Sequence, residues 1–260
     1  MRAFFQLLIA EALKLRRTPA LLLTLILPYT VVLAFFLFAR IEGHRFLTGA
    51  DADPWSWLAE ACLGAWTSLF LPLAVFLLAA LVASVEHRSR GLRLLFTLPV
   101  PRWQIAAAKH LVVLALVGLS FLLLALGIAL AGIALRWASP ELGFDQPVPW
   151  GALLLTCLWG WLATTFFCTL ATAVSLARSS FVLPVTAGFL ATILLLILRA
   201  TDPALALYHP AAYAVEATDS LVSFGRPATT LGLRWALVGL GTGILFALAA
   251  GWAWVRGDVD

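Results

Sequence analysis

The groups in this 260-residue chain that could do chemistry are four histidines, three cysteines and thirteen acids. A hydrolase needs a nucleophile beside a base, or several metal ligands within reach of one ion. Here His44, His87, His110 and His209 are scattered among different polar stretches, and the sequence holds no HExxH or GxSxG pattern. Cys62, Cys157 and Cys168 form no CxxC pair, and the last two fall in an apolar run, where a thiol packs as a small hydrophobe. There is also no GxxxxGK[ST] phosphate loop. A proton-driven carrier needs ionisable groups inside its spans. Apart from Arg234 near the start of the last, the apolar runs carry no Asp, Glu, Lys or Arg between their ends. What remains is mechanical work, with any energy for it supplied by a partner.

The place where such a partner could grip is the stretch from Glu86 to Arg102, continuing to Lys109. It is the most polar and basic block between two long apolar runs. Leu92, Leu95 and Leu98 set against Arg88, Arg90 and Arg93 make a short amphipathic segment. Pro99 and Pro101 then break it and turn the chain. By composition alone this is a basic loop that fixes topology.

The elements that must hold the block are membrane spans. Hydrophobic residues make up 63% of the chain and charged ones 12%, against roughly 25% charged in a soluble domain. Six apolar runs approach or exceed the ~20 residues that a bilayer core requires. They are 19–39, with Pro28 expected to kink it, then 61–85, 111–135, 150–177, 181–198 and 231–255. Within the fourth, Thr164, Cys168, Thr172 and Ser175 form one small polar stripe, which suits helix packing and leaves a translocation surface as the minority reading. The sixth holds Gly239 and Gly243 at GxxxG spacing. Trp55 and Trp57, in the connection 40–60, suit a headgroup belt.

Ahead of the first run, residues 1–17 read as an amphipathic helix lying in the interface. Phe4, Leu8, Ala12 and Leu15 share one face with Phe5 beside them, while Arg2, Gln6, Lys14 and Arg17 share the other; Glu11 is its acid. Between the fifth and sixth runs, the connection 199–230 has an apolar middle, 204–215, too short to cross and expected to be interfacial or re-entrant.

Charge fixes the expected orientation. The N-terminal segment, the 86–109 block, the Arg178 turn and the C-terminal tail carry 11 of the 17 Lys and Arg residues and a net charge of +7, while the rest of the chain sums to −3. The positive-inside rule places both termini in the cytoplasm. The net charge of +4 is modest and clustered, which argues against a nucleic-acid partner. The expected fold is all-α, a polytopic membrane protein forming a single domain over 1–260.

The stretch EHRSRGLRLLFTLPVPRWQIAAAK resembles the first cytoplasmic loop of ABC-2-type permeases, with Glu86, Gly91, Leu94, Leu95, Pro99, Arg102 and Lys109 at the matching positions. AEALKLRRT, at 10–18, followed by a span with Pro28, is similar to the subset that protects bacteria against lantibiotics and bacitracin, although Gly91 stands where that subset commonly has threonine. The resemblance implies a coupling helix at 86–102 that docks in an ATPase groove. It also implies an outer gate in 199–230 containing Tyr208, His209, Pro210, Tyr213 and Glu216. The implied assembly has two ABC ATPase subunits, which bind ATP and Mg, and a second permease subunit, identical or homologous, in a bacterial cytoplasmic membrane. No cofactor is expected on this chain. The expected activity is export of an amphiphilic peptide, drug or lipid-like molecule. A non-transporting scaffold or sensor, or an enzyme modifying lipid through His87, His110 or Glu86, are the alternatives.

Overall fold

The structure is a computed structural model that describes residues 2–46, 53–88, 101–177, 180–219 and 230–256. Among these no strand occurs. Helix α1 (Arg2–Lys14) passes through a 3-10 turn (Leu15–Arg17) into α2 (Ala20–Phe46). Next come α3 (Pro54–Ala65), a π-helical turn (Trp66–Phe70) and α4 (Leu71–Arg88). Helix α5 (Arg102–Ala138) is followed by α6 (Trp150–Ala163), α7 (Thr165–Ala177) and α8 (Val182–Thr201). Two short helices, α9 (Pro203–Ala206) and α10 (Ala212–Asp219), precede α11 (Thr230–Arg256).

Five segments are long and apolar enough to cross a membrane: Ala20–Arg45, Pro54–Val85, Trp103–Ala138, Val182–Thr201 and Gly232–Ala250. The pair α6 and α7, bent by 42° at Thr164, makes a sixth if it is one broken span. Three spans run well past the apolar pattern, and the third, Trp103–Ala138, begins eight residues before its run. Helix α2 continues through Arg40 and Glu42, and the second span begins at Pro54 rather than at 61. Asp53 explains that start: its carboxylate accepts hydrogen bonds from the backbone N–H groups of Trp55 and Ser56, an N-cap followed by proline at the first helical position. Pro72 accounts for the π turn just before it. Proline has no N–H to give and crowds the carbonyl four residues back, and the wider turn lets Leu71 N–H reach Trp66 O instead.

The central element is α5. Its 37 residues span about 55 Å at 1.5 Å per residue, against about 30 Å of hydrocarbon, so it must project well beyond the core. It packs against α1, α2, α4, α6, α7 and α11. Its buried residues, including Val113, Val117, Phe121, Leu124 and Ile128, form the middle of the core. Trp55 is one of those core residues and not part of a headgroup belt. It is buried, its ring lies over Gly132 and edge-on to Phe144 at 5.3 Å, and its Nε1 donates to Gln146 O at 3.1 Å. The indole fits only because Gly132 has no side chain: a Cβ there would stand 2.3 Å from the ring.

Candidate functional site

The first element of the site is the junction of α1 with the start of α5. Lys109 sits two turns into α5 and is buried. Its Nζ donates to Glu11 Oε2 at 2.8 Å, with both side chains 1% exposed, and Lys14 Nζ pairs with the other carboxylate oxygen. An acid and a lysine can both be buried when each neutralises the other and hydrogen bonds satisfy them. The amphipathic reading of 1–17 changes accordingly. Phe4, Leu8, Glu11 and Leu15 turn toward the bundle, while Phe5, Ile9 and Leu13 stay exposed as a separate apolar face and Ala12 lies on the exposed side. Glu11 is therefore the anchor of the helix and not part of its wet face. The Arg17 side chain lies outside the described residues.

The segment expected to couple to a partner ends at Arg102, two turns before Lys109. Glu86 and Arg88 fall in the last turns of α4 and Arg102 opens α5, but their side chains lie outside the described residues, as do Arg90, Gly91, Arg93, Leu95 and Pro99. Pro101, with φ −56° and ψ 135°, is the extended residue from which α5 starts, as a proline before a helix requires.

The second element is the break between α6 and α7. No proline causes it. Thr164 Oγ1 donates to Trp161 O, Thr165 Oγ1 to Leu162 O, and Thr164 N–H also turns back to Trp161 O. These bonds draw carbonyls out of the regular ladder and bend the helix. Helix α11 packs into the break through its paired glycines. A Cβ on Gly239 would stand 2.3 Å from Ala163 O, and one on Gly243 2.6 Å from Phe166 N. The polar stripe is buried in packing: Thr172 donates to Cys168 O and Ser175 to Ala171 O, while Cys168 is completely covered. Its hydroxyl protons are spent on backbone carbonyls of α6 and α7, the arrangement of a packing face.

The third element lies at the opposite end. Helix α10 re-enters the bundle and packs against α3, α6 and α11, burying Ala212, Ala214, Val215, Ala217 and Thr218. Gly160 of α6 lets it approach: a Cβ there would stand 2.8 Å from Thr218 and 2.9 Å from Phe121. Arg199 at the end of α8 reaches across to Glu216 at 3.4 Å and Asp219 at 3.1 Å. Burial raises the pKa of both acids above the usual carboxylate range, with Arg199 opposing the rise. His209 is buried near the Phe167 ring, and burial lowers its pKa. Tyr213 stacks on Trp235 at 5.8 Å, whereas Tyr208 is 81% exposed and Pro210 is half-buried. The five residues expected at an outer gate therefore divide. His209, Tyr213 and Glu216 tie the re-entrant segment to α7, α11 and α8, and Tyr208 does not join them.

Sequence reasoning missed Arg199 and the roles of Gly132 and Gly160, whose contacts come from elements far away in the chain. A lone acid in an otherwise basic, apolar helix was the available signal for Glu11.

Comparison with known proteins gives one family. The model described as ABC-2 family transporter protein matches residues 7–195, from within α1 to near the end of α8. No curated protein and no solved structure gives a significant match.

Proposed function

This chain belongs to the ABC-2 transporter family, and from that premise we propose that it is the permease subunit of an ATP-driven exporter, with 86–102 as its coupling segment. ABC-2 permeases generally work with ATPase subunits. In this reading two ATPases bind ATP and Mg on the cytoplasmic side, and a second permease subunit completes the pathway.

The observation that carries the reading is the Glu11–Lys109 ion pair. It locks the N-terminal helix to α5 just after the basic block, so a push on that block moves α1 and α5 together. A rigid link at the point of force entry is what an external motor needs. At the far end, the Arg199–Glu216–Asp219 cluster holds α10 to α8. Rearrangement of this re-entrant segment would open the exit. The long apolar spans and many aromatic residues suit an amphiphilic peptide, drug or lipid-like cargo. The +7 charge of the loops carrying the termini supports a cytoplasmic position for both. The N-terminal motif supports a role in antimicrobial-peptide immunity.

The test is co-expression with candidate ATPase subunits, beginning with any that neighbouring genes encode. Glu86→Lys, and Arg93→Glu with Leu95→Asp, should abolish ATPase co-purification while the permease still reaches the membrane. Intact co-purification and transport in both variants would overturn the coupling assignment.

A further inference from the structure

Phe76 of α4 lies edge-on to Phe167 of α7, with ring centroids 5.2 Å apart and planes at 78°. That separation is inside the roughly 4.5–7 Å over which aromatic pairs attract. The Phe167 ring in turn stands 6.4 Å from the imidazole of His209. All three side chains are buried, and they are so far apart in sequence that only the folded chain sets them in a row. Phe76 is also held at its root. Gly188 brings the α8 backbone so close that a Cβ there would stand 2.7 Å from the Phe76 Cβ and 3.1 Å from its Cγ. A side chain packed at both root and ring has little room to slide, and a close-packed interior passes a displacement on.

The ends of this row belong to different parts of the molecule. Helix α4 runs unbroken from Phe76 to Arg88, so its last turn already lies in the polar block 86–102. At the other end, His209 is tied into the re-entrant segment by backbone and ring. Its N–H donates to Ala206 O at 2.9 Å, its carbonyl accepts from Ala212 N–H at 2.9 Å, and its Nδ1 accepts from Ala211 N–H at 3.3 Å. A shift of His209 therefore carries Ala212, the first residue of α10, with it. Phe167 stands between them in the first turn of α7, three residues past the Thr164 break. Its neighbour Phe166 turns to α11 instead, edge-on to Phe246 with centroids 5.5 Å apart.

We propose that Phe167 is the positioning residue through which α4 sets the place of His209, and with it the start of α10. Its purpose rests on the exporter reading: a push on 86–102 that moves α1 and α5 on one side moves α4 on the other, and this row delivers it to the re-entrant segment. Adjacency becomes coupling only when a change at one end is felt at the other, which a double-mutant cycle reads.

The full-length chain, isotopically labelled at the histidine Cε1, would be studied by NMR in detergent micelles, with the His209 ring signal identified by its loss in His209→Gln. Phe76→Leu should shift that signal by several linewidths. Phe166→Leu, which removes an aromatic pair from the same turn of α7, should leave it in place. Phe167→Leu should move it, and adding Phe76→Leu to that variant should cause no further shift. An unmoved signal in Phe76→Leu overturns the proposal. So does an equal shift in Phe166→Leu, which would mark a general loosening of the bundle. A Phe76→Leu shift of full size on the Phe167→Leu background overturns it too, because α4 would then reach His209 by another route. Should Phe167→Leu fail to fold, Phe76→Leu against Phe166→Leu still decides. None of these readouts uses an ATPase or transport, so failure here is distinguishable from failure of the exporter reading.

Discussion

Glu11 and Lys109, 98 residues apart in sequence, meet at 2.8 Å with both side chains 1% exposed. The contact ties α1 to the bundle. It also joins the segment before the first span to the beginning of α5, the longest helix described.

Removing one partner leaves a charge buried without its main counterion. Lys109→Met and Glu11→Leu should each destabilise the protein by about 3–5 kcal/mol. The double change Glu11→Leu with Lys109→Met should lie closer to wild type than either single one, because the surviving burial cost is gone. Thermal unfolding in detergent across the four proteins measures this coupling directly.

The glycines of α11 should be unequal. Gly239→Ala puts a methyl group 2.3 Å from a carbonyl oxygen of the α6–α7 break, a backbone atom that cannot rotate away. We expect a loss of about 1–3 kcal/mol, the range for overpacking, as α11 moves outward. Gly241→Ala meets nothing within 4 Å and should be neutral or slightly stabilising, since alanine is the better helix former. Melting temperatures of the two variants against wild type decide the matter.

Stability should fall with rising pH because of Glu216. Its folded pKa is raised by burial, so in the window above the ordinary value of 4.5 the folded state binds more proton than the unfolded one. The stability this provides is present below that window and lost as pH rises through the folded pKa. Asp219 acts in the same direction. His209 has the opposite sign: its lowered pKa means that stability is lost as pH falls below 6.5 toward the folded value. Melting curves from pH 4 to 8 should flatten on the acidic side in His209→Gln, while Glu216→Gln should weaken the decline above pH 4.5, leaving the share due to Asp219.

Gly160→Val should detach α10 without touching the Glu11–Lys109 pair. The added side chain enters space held by Thr218 of α10 and Phe121 of α5. The expected result is faster hydrogen exchange across 212–219, with exchange in α1 unchanged. Equal acceleration at both ends would mean that the re-entrant segment is not a separate unit.

Much of the architecture was readable from the chain alone, for a definite reason. A bilayer core demands long runs without charge, and such runs announce themselves whatever they pack against. The approximate spans and the role of the α11 glycines in close packing follow from that demand and from residue size. The ends of elements were less readable. The second span starts seven residues before its apolar run because the Asp53 cap and Pro54 set the start, and hydropathy does not register caps.

Three features were decided only by tertiary structure. Trp55 resembles an interfacial ring until Gly132 is found beneath it. Arg199 resembles an ordinary span-end cation until α10 folds back to place two acids beside it. Glu11 resembles a wet residue on an amphipathic helix until Lys109 arrives from the other side. Sequence determines which stretches must leave water, because transfer free energy belongs to each stretch separately. Which polar groups may leave water with them depends on a partner at hydrogen-bond distance, and only the folded chain supplies that distance.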